Sequence, residues 1–245
     1  FSGNNMSLIL NYLSFVFFAS MKVIFMKGKF DKILVFAPSP ITVGIVGLIA
    51  AKKFNAKTYI WVQDLWPESV KDAGNIHNKI ILKLLNNLTR LIYKYSDYIF
   101  IQSEYFRNYI IDQGVLDNEI IYLPNYAEDH YEKVKEDKKI KNIFSNTFSI
   151  TFAGNIGEAQ NLEILVDCAK ILKSKNVSVK FFIIGSGRKK QQLISKIREN
   201  NLKDYFIFLG RQQPIEMPKY FASSDIMLIS LKKSKIFSFT IPSKL

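Results

Sequence analysis

The chain has 245 residues, of which 48% are apolar; this allows one large domain or two ordinary ones, and we expect two. Its single cysteine, Cys168, excludes an internal disulfide, and two histidines are too few to complete a structural zinc site with it. The net charge of +13 is unevenly spread, because residues 141–245 hold 17 basic and 7 acidic residues. Such a field attracts phosphate groups, but without a zinc-finger or RNA-recognition pattern we expect no nucleic acid partner.

The first predicted element is an apolar helix. Residues 6–26 contain 16 apolar side chains in 21 positions, interrupted by Asn11, Ser14 and Lys22. This length nearly spans a bilayer, but the interruptions and the strand that follows favour a core helix or one lying in the membrane interface. Because the chain starts at Phe1 rather than methionine, we expect upstream sequence that includes the first strand of the domain.

After this helix, short β-branched or aromatic runs alternate with longer helical patterns, which is typical of parallel βαβ units. The strands of the first half are nearly continuous apolar runs, and this pattern predicts burial on both faces of the sheet. The predicted strands are 32–37, 57–62, 97–102 and 119–123, with helices at about 42–54, 76–95 and 104–112.

A polar, charge-dense stretch at 124–147 breaks the alternation, and we interpret it as a linker. The sequence therefore predicts an α/β protein with two Rossmann-like domains, at 1–140 and 141–245. In the second domain the predicted strands are 148–154, 179–185, 205–210 and 225–230, with helices at about 160–174, 188–200 and 214–222.

Three strands of the second half end in glycine, at Gly154, Gly185 and Gly210. In open α/β sheets, ligands bind beyond the carboxyl ends of the strands, where glycine lets the backbone come close and helix N-termini offer free amides to phosphate. A single glycine at such a position is often only a turn residue. Three at equivalent positions predict a nucleotide as the ligand. The pair Lys189-Lys190, by contrast, is typical of a solvated helix face.

Longer stretches of the chain resemble a known family. FAGNIGEAQNLEILVDCAKIL, FFIIGSGRKKQQL, FIFLGRQQPIEMPKYFASSDIMLISL and the terminal IPSKL resemble the donor-binding domain of the retaining, GT-B-fold glycosyltransferases of family 4. In the first half, VFAPSPITVGIVGLIAAKKF and YIWVQDLWPESV are similar to the branch that assembles bacterial surface polysaccharides, including enzymes that transfer N-acetylated amino sugars. The resemblance runs from about Phe30 to Leu245 and implies that the donor domain continues beyond Leu245.

The resemblance implies a nucleoside diphosphate sugar, UDP-linked, bound by the second domain, with no further cofactor and no metal. The loop from Gly154 to Gly157 would lie under the diphosphate. Many relatives carry Arg and Lys where this chain has Asn155 and Gln160, so the positive charge that a diphosphate needs is expected from Arg188 and Lys244. The donor-binding residues implied in this way are Gly154, Asn155, Gly157, Gly185, Gly187, Arg188, Gly210, Arg211, Ser243 and Lys244.

In the first half, Asp64 and Glu68 follow the strand that ends at Val62, so they lie at the carboxyl end of a strand. An aspartate at this position can bind a sugar hydroxyl or orient the attacking one, and Glu68 can assist, so both are candidate catalytic residues. The alternative is a structural role, in which Asp64 or Ser69 caps the short helix that follows, with Pro67 in its first turn.

With the resemblance, these residues predict a retaining glycosyltransferase that moves a sugar of the N-acetylhexosamine type from a UDP-sugar to a lipid-linked saccharide. This reaction would serve the synthesis of cell-surface polysaccharide, such as lipopolysaccharide or capsule. We expect the protein to be cytoplasmic and peripheral to the inner face of the plasma membrane. Two alternatives stay open, a UDP-sugar 2-epimerase of the same fold and a non-catalytic nucleotide-sugar-binding protein.

Overall fold

The computed structural model describes residues 5–74, 76–144 and 147–242, which form two compact units. The first unit runs to Asn125 and also includes the segment that begins at Lys233, whereas the second unit runs from Tyr126 to Lys232. The boundary predicted between residues 140 and 141 differs from this division, which assigns 126–140 to the second unit and the segment after Lys232 to the first.

The first unit alternates helices and strands as the sequence predicts. Its elements are α1 (Asn5–Phe25), β1 (Lys32–Ala37), α2 (Val43–Phe54), β2 (Lys57–Val62), α3 (Glu68–Gly74), α4 (Lys79–Lys94), β3 (Tyr98–Ile101), α5 (Phe106–Asp112) and β4 (Ile120–Tyr122). The four strands form one parallel sheet in the order β1-β2-β3-β4. Because all four strands run in the same direction, their carboxyl ends lie at the same edge of the sheet.

Helix α2 packs closely on this sheet because two of its residues are glycine. A Cβ at Gly47 would lie 2.2 Å from Cγ2 of Val35 in β1, and a Cβ at Gly44 would lie 2.5 Å from Cγ2 of Ile92 in α4. Larger residues would therefore push α2 away from its neighbours. This contact helps to form the core of the unit, in which Ile60 and Ile99 are fully buried.

The prediction that both faces of this sheet are buried is wrong for the described part of the chain. The burial of β2 alternates along the strand, with Thr58, Ile60 and Val62 buried. On the opposite face of the neighbouring strand, Leu34 and Phe36 are 61% and 55% exposed. An apolar run predicts a strand that is suited to burial, but the neighbours that cover it are not written in that run.

Helix α1 packs against α2, and the ammonium of Lys53 in α2 donates to the main-chain oxygen of Val23 at 2.8 Å, near the end of α1. Lys53 thereby adds a second donor to this oxygen, which also accepts a hydrogen bond from the main-chain nitrogen of Met26 at 3.1 Å. Most large apolar side chains of α1 stay exposed, among them Leu10, Leu13, Phe17 and Phe18. In the described ranges, no helix combines the length and apolarity that crossing a membrane requires.

The second unit contains the second alternating series. Its elements are α6 (Lys138–Phe144), β5 (Phe148–Ala153), α7 (Ile164–Ser174), β6 (Val179–Ile184), α8 (Lys190–Glu199), β7 (Phe206–Gly210), α9 (Met217–Ser223) and β8 (Ile226–Leu228). The strands form a parallel sheet in the order β7-β6-β5-β8. Buried clusters cover both faces of this sheet, one with Phe152 and Ile183 and the other with Phe182 and Ile184. The doubly wound arrangement predicted for this half is therefore present.

Part of the predicted linker is a helix. Helix α6 begins after Asp137, whose carboxylate accepts hydrogen bonds from the main-chain nitrogens of Lys139 (2.8 Å) and Ile140 (3.2 Å). Ile140 and Phe144 are buried in the second unit, and Phe144 contacts Phe182 with ring centroids 4.3 Å apart. An N-cap followed by apolar residues four positions apart is a helix signal, which the surrounding charges obscured in the sequence.

Candidate functional site

The loops that follow β5, β6 and β7 are joined by main-chain hydrogen bonds. The nitrogen of Gly154 donates to the oxygen of Ile184 at 2.8 Å, and the nitrogen of Gly185 donates to the oxygen of Gly210 at 2.6 Å. One loop further out, the nitrogen of Ile156 donates to the oxygen of Ser186 at 2.9 Å. The three strand-end glycines therefore lie together at one edge of the sheet, where the sequence predicts a nucleotide site.

The close approach of these loops explains two of the glycines directly. A Cβ at Gly185 would lie 1.9 Å from the oxygen of Gly154, and a Cβ at Gly187 would lie 2.3 Å from the oxygen of Ile156. Gly185 also has a φ of +133°, and Gly210 has a φ of +70° but open space around the position of its Cβ. The glycines thus permit loops to pack on one another, and the ligand contacts predicted for them stay a proposal.

The tip of the first loop carries two amide side chains. A Cβ at Gly157 would lie 2.6 Å from Nδ2 of Asn155 and 2.9 Å from Oε1 of Gln160, so both amides close in on this glycine. Asn155 is exposed, whereas Oε1 of Gln160 is buried and has no hydrogen-bond partner among the described residues. The loop therefore offers polar but uncharged groups at the two positions where the resembled family often has Arg and Lys.

Positive charge comes from the neighbouring loops. We call the four segments that follow β5 to β8 the basic edge: residues 154–160, 185–190, 211–213 and 229–232. This edge holds five basic residues and one acid. Arg188 and Arg211 are exposed, and in the described part of the chain neither has an ion-pair partner. The basic residues are Arg188, Lys189, Lys190, Arg211 and Lys232, and the acid is Glu158.

Glu158 and its two lysines are the functional candidates that the sequence reasoning missed. One carboxylate oxygen of Glu158 lies 2.7 Å from Nζ of Lys189, and the other lies 3.7 Å from Nζ of Lys232. The hydrogen bond from Lys189 is the main cause that lowers the pKa of Glu158, with a contribution from the charge of Lys232 and against the effect of burial. Lys189 is therefore not the solvated residue that its sequence context indicates.

Two residues remain from the predicted donor site. Ser243 and Lys244 lie outside the described residues, so their predicted contacts stay predictions. Phe239 stacks on Tyr105 in the first unit, with ring centroids 6.2 Å apart.

In the first unit, Asp64 lies just beyond β2, on a segment tied to β1 by the hydrogen bond from the nitrogen of Gln63 to the oxygen of Ala37 (3.1 Å). Burial raises the pKa of Asp64 from 3.8 to about 6. No cap hydrogen bond from Asp64 to α3 exists among the described residues, and Oγ of Ser69 is buried without a partner there. The described residues therefore do not form the predicted cap. The carboxylate of Asp64 titrates near neutral pH.

Glu68 has a different environment. Its carboxylate accepts a hydrogen bond from the hydroxyl of Tyr109, which also lies 3.0 Å from the main-chain oxygen of Trp66. Burial and this hydrogen bond together raise the pKa of Tyr109, so the hydroxyl stays protonated as the donor. Glu68 thus links α3 to α5. The assisting catalytic role predicted for it stays a prediction.

Several buried polar atoms near Asp64 have no partner among the described residues: Nε2 of Gln63, Oε1 of Gln102 and Oγ of Ser103. Gln63 and Gln102 directly follow the paired strand ends Val62 and Ile101, and Nε2 of Gln102 lies 3.5 Å from the main-chain oxygen of Gln63. Buried polar groups are nearly always paired with protein, water or ligand. Their position after strand ends is the sequence signal that could have found them.

Comparison with known proteins found a matching family model and similar sequences. Residues 133–237 match the family model described as Glycosyl transferases group 1. An uncharacterized glycosyltransferase of Methanocaldococcus jannaschii is 28% identical over 195 residues, which are 77% of this chain and 48% of that relative. A putative colanic acid biosynthesis glycosyl transferase of Escherichia coli K12 is 25% identical over 206 residues, which are 80% and 50% of the two chains.

Among solved structures, Anabaena HepE in complex with UDP and glucose superposes with a TM-score of 0.64 at 14% identity, over 94% of this chain and 58% of its own. The chain has the GT-B fold. The predicted fold class is thereby confirmed. The GT-B chain spans about half the length of the curated relatives it matches, 48% of the M. jannaschii protein and 50% of the E. coli protein.

Proposed function

We propose that the chain is part of a retaining glycosyltransferase whose donor is a nucleoside diphosphate sugar. The observation that carries this proposal is the basic edge, where four segments joined by main-chain hydrogen bonds present five basic residues and a single acid at the carboxyl ends of a parallel sheet. Sites of this kind bind phosphate through main-chain amides and cationic side chains. The family match over residues 133–237 covers the same unit and supports the same conclusion.

A UDP-sugar is the donor that we propose. Support comes from the similar fold of HepE, whose structure was solved in complex with UDP and glucose. In this proposal the diphosphate lies over the loop from Gly154 to Gly157, and Arg188, Lys189 and Lys232 neutralise the charge that grows as UDP departs. Gly185, Gly187, Gly210 and Arg211 contact the base and ribose, mainly through main-chain atoms, and Ser243 and Lys244 complete the site.

In the proposed reaction an acceptor hydroxyl attacks the anomeric carbon on the face from which UDP leaves. The new carbon–oxygen bond forms as the bond to the diphosphate breaks, and the hydroxyl proton passes to the departing phosphate oxygen. Asp64 orients that hydroxyl, and Glu68 assists from its position beside Tyr109. Two buried side-chain atoms near Asp64, Nε2 of Gln63 and Oε1 of Gln102, have no partner among the described residues and belong to neutral amides, which suit hydroxyl groups better than phosphate.

A titration with two probes tests the donor site. We expect the chain to bind UDP at least about tenfold more tightly than uridine, because only UDP carries the phosphates that the basic edge would contact. Isothermal titration calorimetry at low salt measures both affinities, and Arg188→Ala should narrow the difference. Equal affinity for UDP and uridine would contradict the proposal that the donor binds at this edge. Conversion of a UDP-sugar without any acceptor would instead favour the 2-epimerase alternative.

We further propose an acceptor that is lipid-linked, a transferred sugar of the N-acetylhexosamine type and a position at the inner face of the plasma membrane. The relative named for colanic acid biosynthesis supports a role in surface polysaccharide. Helix α1 supports membrane contact, since Phe17 and Phe18 are 59% and 67% exposed. Basic residues accompany it near its carboxyl end, namely Lys22, Lys27, Lys29, Lys32, Lys52 and Lys53, with Asp31 as the acid among them.

Vesicle sedimentation tests the membrane proposal. Changing Phe17 and Phe18 together to serine should weaken binding to vesicles containing anionic lipid by more than about tenfold, because two apolar side chains no longer enter the interface. The matched control is the double change of Ile80 and Leu84, exposed apolar residues of α4, to serine. Equal loss in both variants, or no loss in either, would separate α1 from membrane binding.

A further inference from the structure

The acid of the basic edge lies between two of its lysines. Each carboxylate oxygen of Glu158 has its own partner, Lys189 on the loop after β6 and Lys232 after β8. All three side chains are only about one third exposed. Glu158 itself is on the loop after β5, so a single carboxylate joins side chains from three different strand ends.

The main chain fixes where the two lysines start. The nitrogen of Lys189 donates to the oxygen of Ile156 at 3.0 Å, and the nitrogen of Lys232 donates to the oxygen of Ala159 at 2.6 Å. Both partners belong to the loop that carries Glu158. The Cα atoms of the lysines are therefore held on either side of Glu158, and only their long side chains need a further anchor.

Such an anchor matters because a free lysine side chain has many rotamers and loses conformational entropy when it is fixed. Two ammonium groups aimed at one anion also repel each other until the anion arrives. A carboxylate between them offsets both effects. An ammonium has three N–H donors, and Lys189 uses two, for Glu158 and for Oε1 of Gln192 at 3.0 Å. Among the described residues its third donor has no partner.

We propose that Glu158 is a positioning residue that holds the ammonium groups of Lys189 and Lys232 where they contact the diphosphate of the donor. This inference rests on the proposed function, because it assumes that the diphosphate lies at the basic edge. Glu158 does not touch the reacting atoms. It acts through the lysines. By holding them in place, it provides the fixed positive charge that the uncharged Asn155 and Gln160 do not supply.

The test compares UDP and uridine binding in variants of the whole chain. Glu158→Gln keeps the size of the side chain but removes its charge, and we expect it to weaken UDP binding about tenfold while uridine affinity stays unchanged. Glu158→Asp should recover part of the loss because it keeps the charge. The matched control is Glu163→Gln, since Glu163 also pairs with a lysine, Lys196, but lies outside the basic edge.

A double-mutant cycle adds a measurement that a purely structural role would not move. If Glu158 acts through its two lysines, then Glu158→Gln should cost little further UDP affinity in a chain that already carries both Lys189→Gln and Lys232→Gln. Additive losses in the cycle would contradict the proposal, as would UDP binding that is unchanged or tighter in Glu158→Gln. Wild-type protein that does not prefer UDP to uridine would overturn the proposed function itself, and with it this inference.

Discussion

Asp64→Asn is expected to raise the free energy of unfolding by about 3 kcal/mol at pH 7 while lowering the rate of sugar transfer about a hundredfold. The stabilisation follows from burial, which raises the pKa of Asp64 from 3.8 to about 6. A carboxylate that is harder to ionise in the folded chain than in the unfolded chain destabilises the fold once it is ionised. Asparagine has a similar shape and no charge, so it removes this penalty.

The free energy of unfolding should depend on pH because Asp64 has different pKa values in the folded and unfolded chains. Between about pH 4 and pH 6 the folded chain holds a proton on Asp64 that the unfolded chain has lost, so the stability of the wild type falls as the pH rises through this window. The Asn variant lacks that decline. The difference between the two proteins should therefore be near zero at pH 4, grow up to about pH 6 and stay constant above it.

Urea denaturation at several pH values measures the stability difference, and a transfer assay at the same pH values measures the rate. Asp112→Asn is the control, because Asp112 is an exposed acid on α5 and its change should alter stability by less than about 0.5 kcal/mol. A variant that is both less stable and fully active would show that Asp64 has a structural role instead.

Gly185→Ala is expected to destabilise the second unit by about 4 kcal/mol and to abolish UDP binding. The added Cβ would lie 1.9 Å from the main-chain oxygen of Gly154, and a backbone φ of +133° is one that alanine rarely adopts. The nearest atoms are all main-chain atoms of Gly154, so no flexible side chain can turn away to make room. The loops after β5 and β6 must therefore separate, and with them the amides of the basic edge.

Gly210→Ala is the matched control, because Gly210 also has a positive φ but its Cβ would meet nothing within 4 Å. It should lose only the cost of the backbone conformation, about 1–2 kcal/mol. Denaturation monitored by circular dichroism, together with a UDP titration, measures both effects. Equal destabilisation by the two variants would mean that loop packing around Gly185 contributes little beyond its φ angle.

Much of the fold could be predicted from the sequence because it depends on local pattern. The strands predicted at 32–37 and 57–62 have the bounds of β1 and β2, and the alternation of strands with helices predicts parallel sheets. Helix α6 was missed because the charges around Ile140 and Phe144 concealed its apolar spacing. The exposure of Leu34 and Phe36 could not be predicted, since it depends on which elements cover the sheet.

The main chain of the candidate site could be predicted from the sequence, but its ion pairs could not. Strand-end glycines are visible in the sequence, and Gly154, Gly185 and Gly210 do lie together. The pairing of Glu158 with Lys189 and Lys232 joins residues far apart in the chain, and a sequence offers many acids and lysines for each such pair. The buried Oε1 of Gln102, which has no partner among the described residues, is hidden for the same reason, because burial depends on the tertiary structure.

The order of strands in the second sheet has a consequence for how this unit is synthesised. Strand β8 lies beside β5, with Ile150 opposite Ile226, although β6 and β7 come between them in the chain. Such long-range pairs form slowly, and chains emerge from the ribosome N-terminus first. Glu158 and Lys189 are therefore expected to meet in the nascent chain before Lys232 has been made. The basic edge is completed only when β8 closes the sheet, so the capacity to bind a diphosphate that we propose for it is expected only near the end of synthesis of this unit.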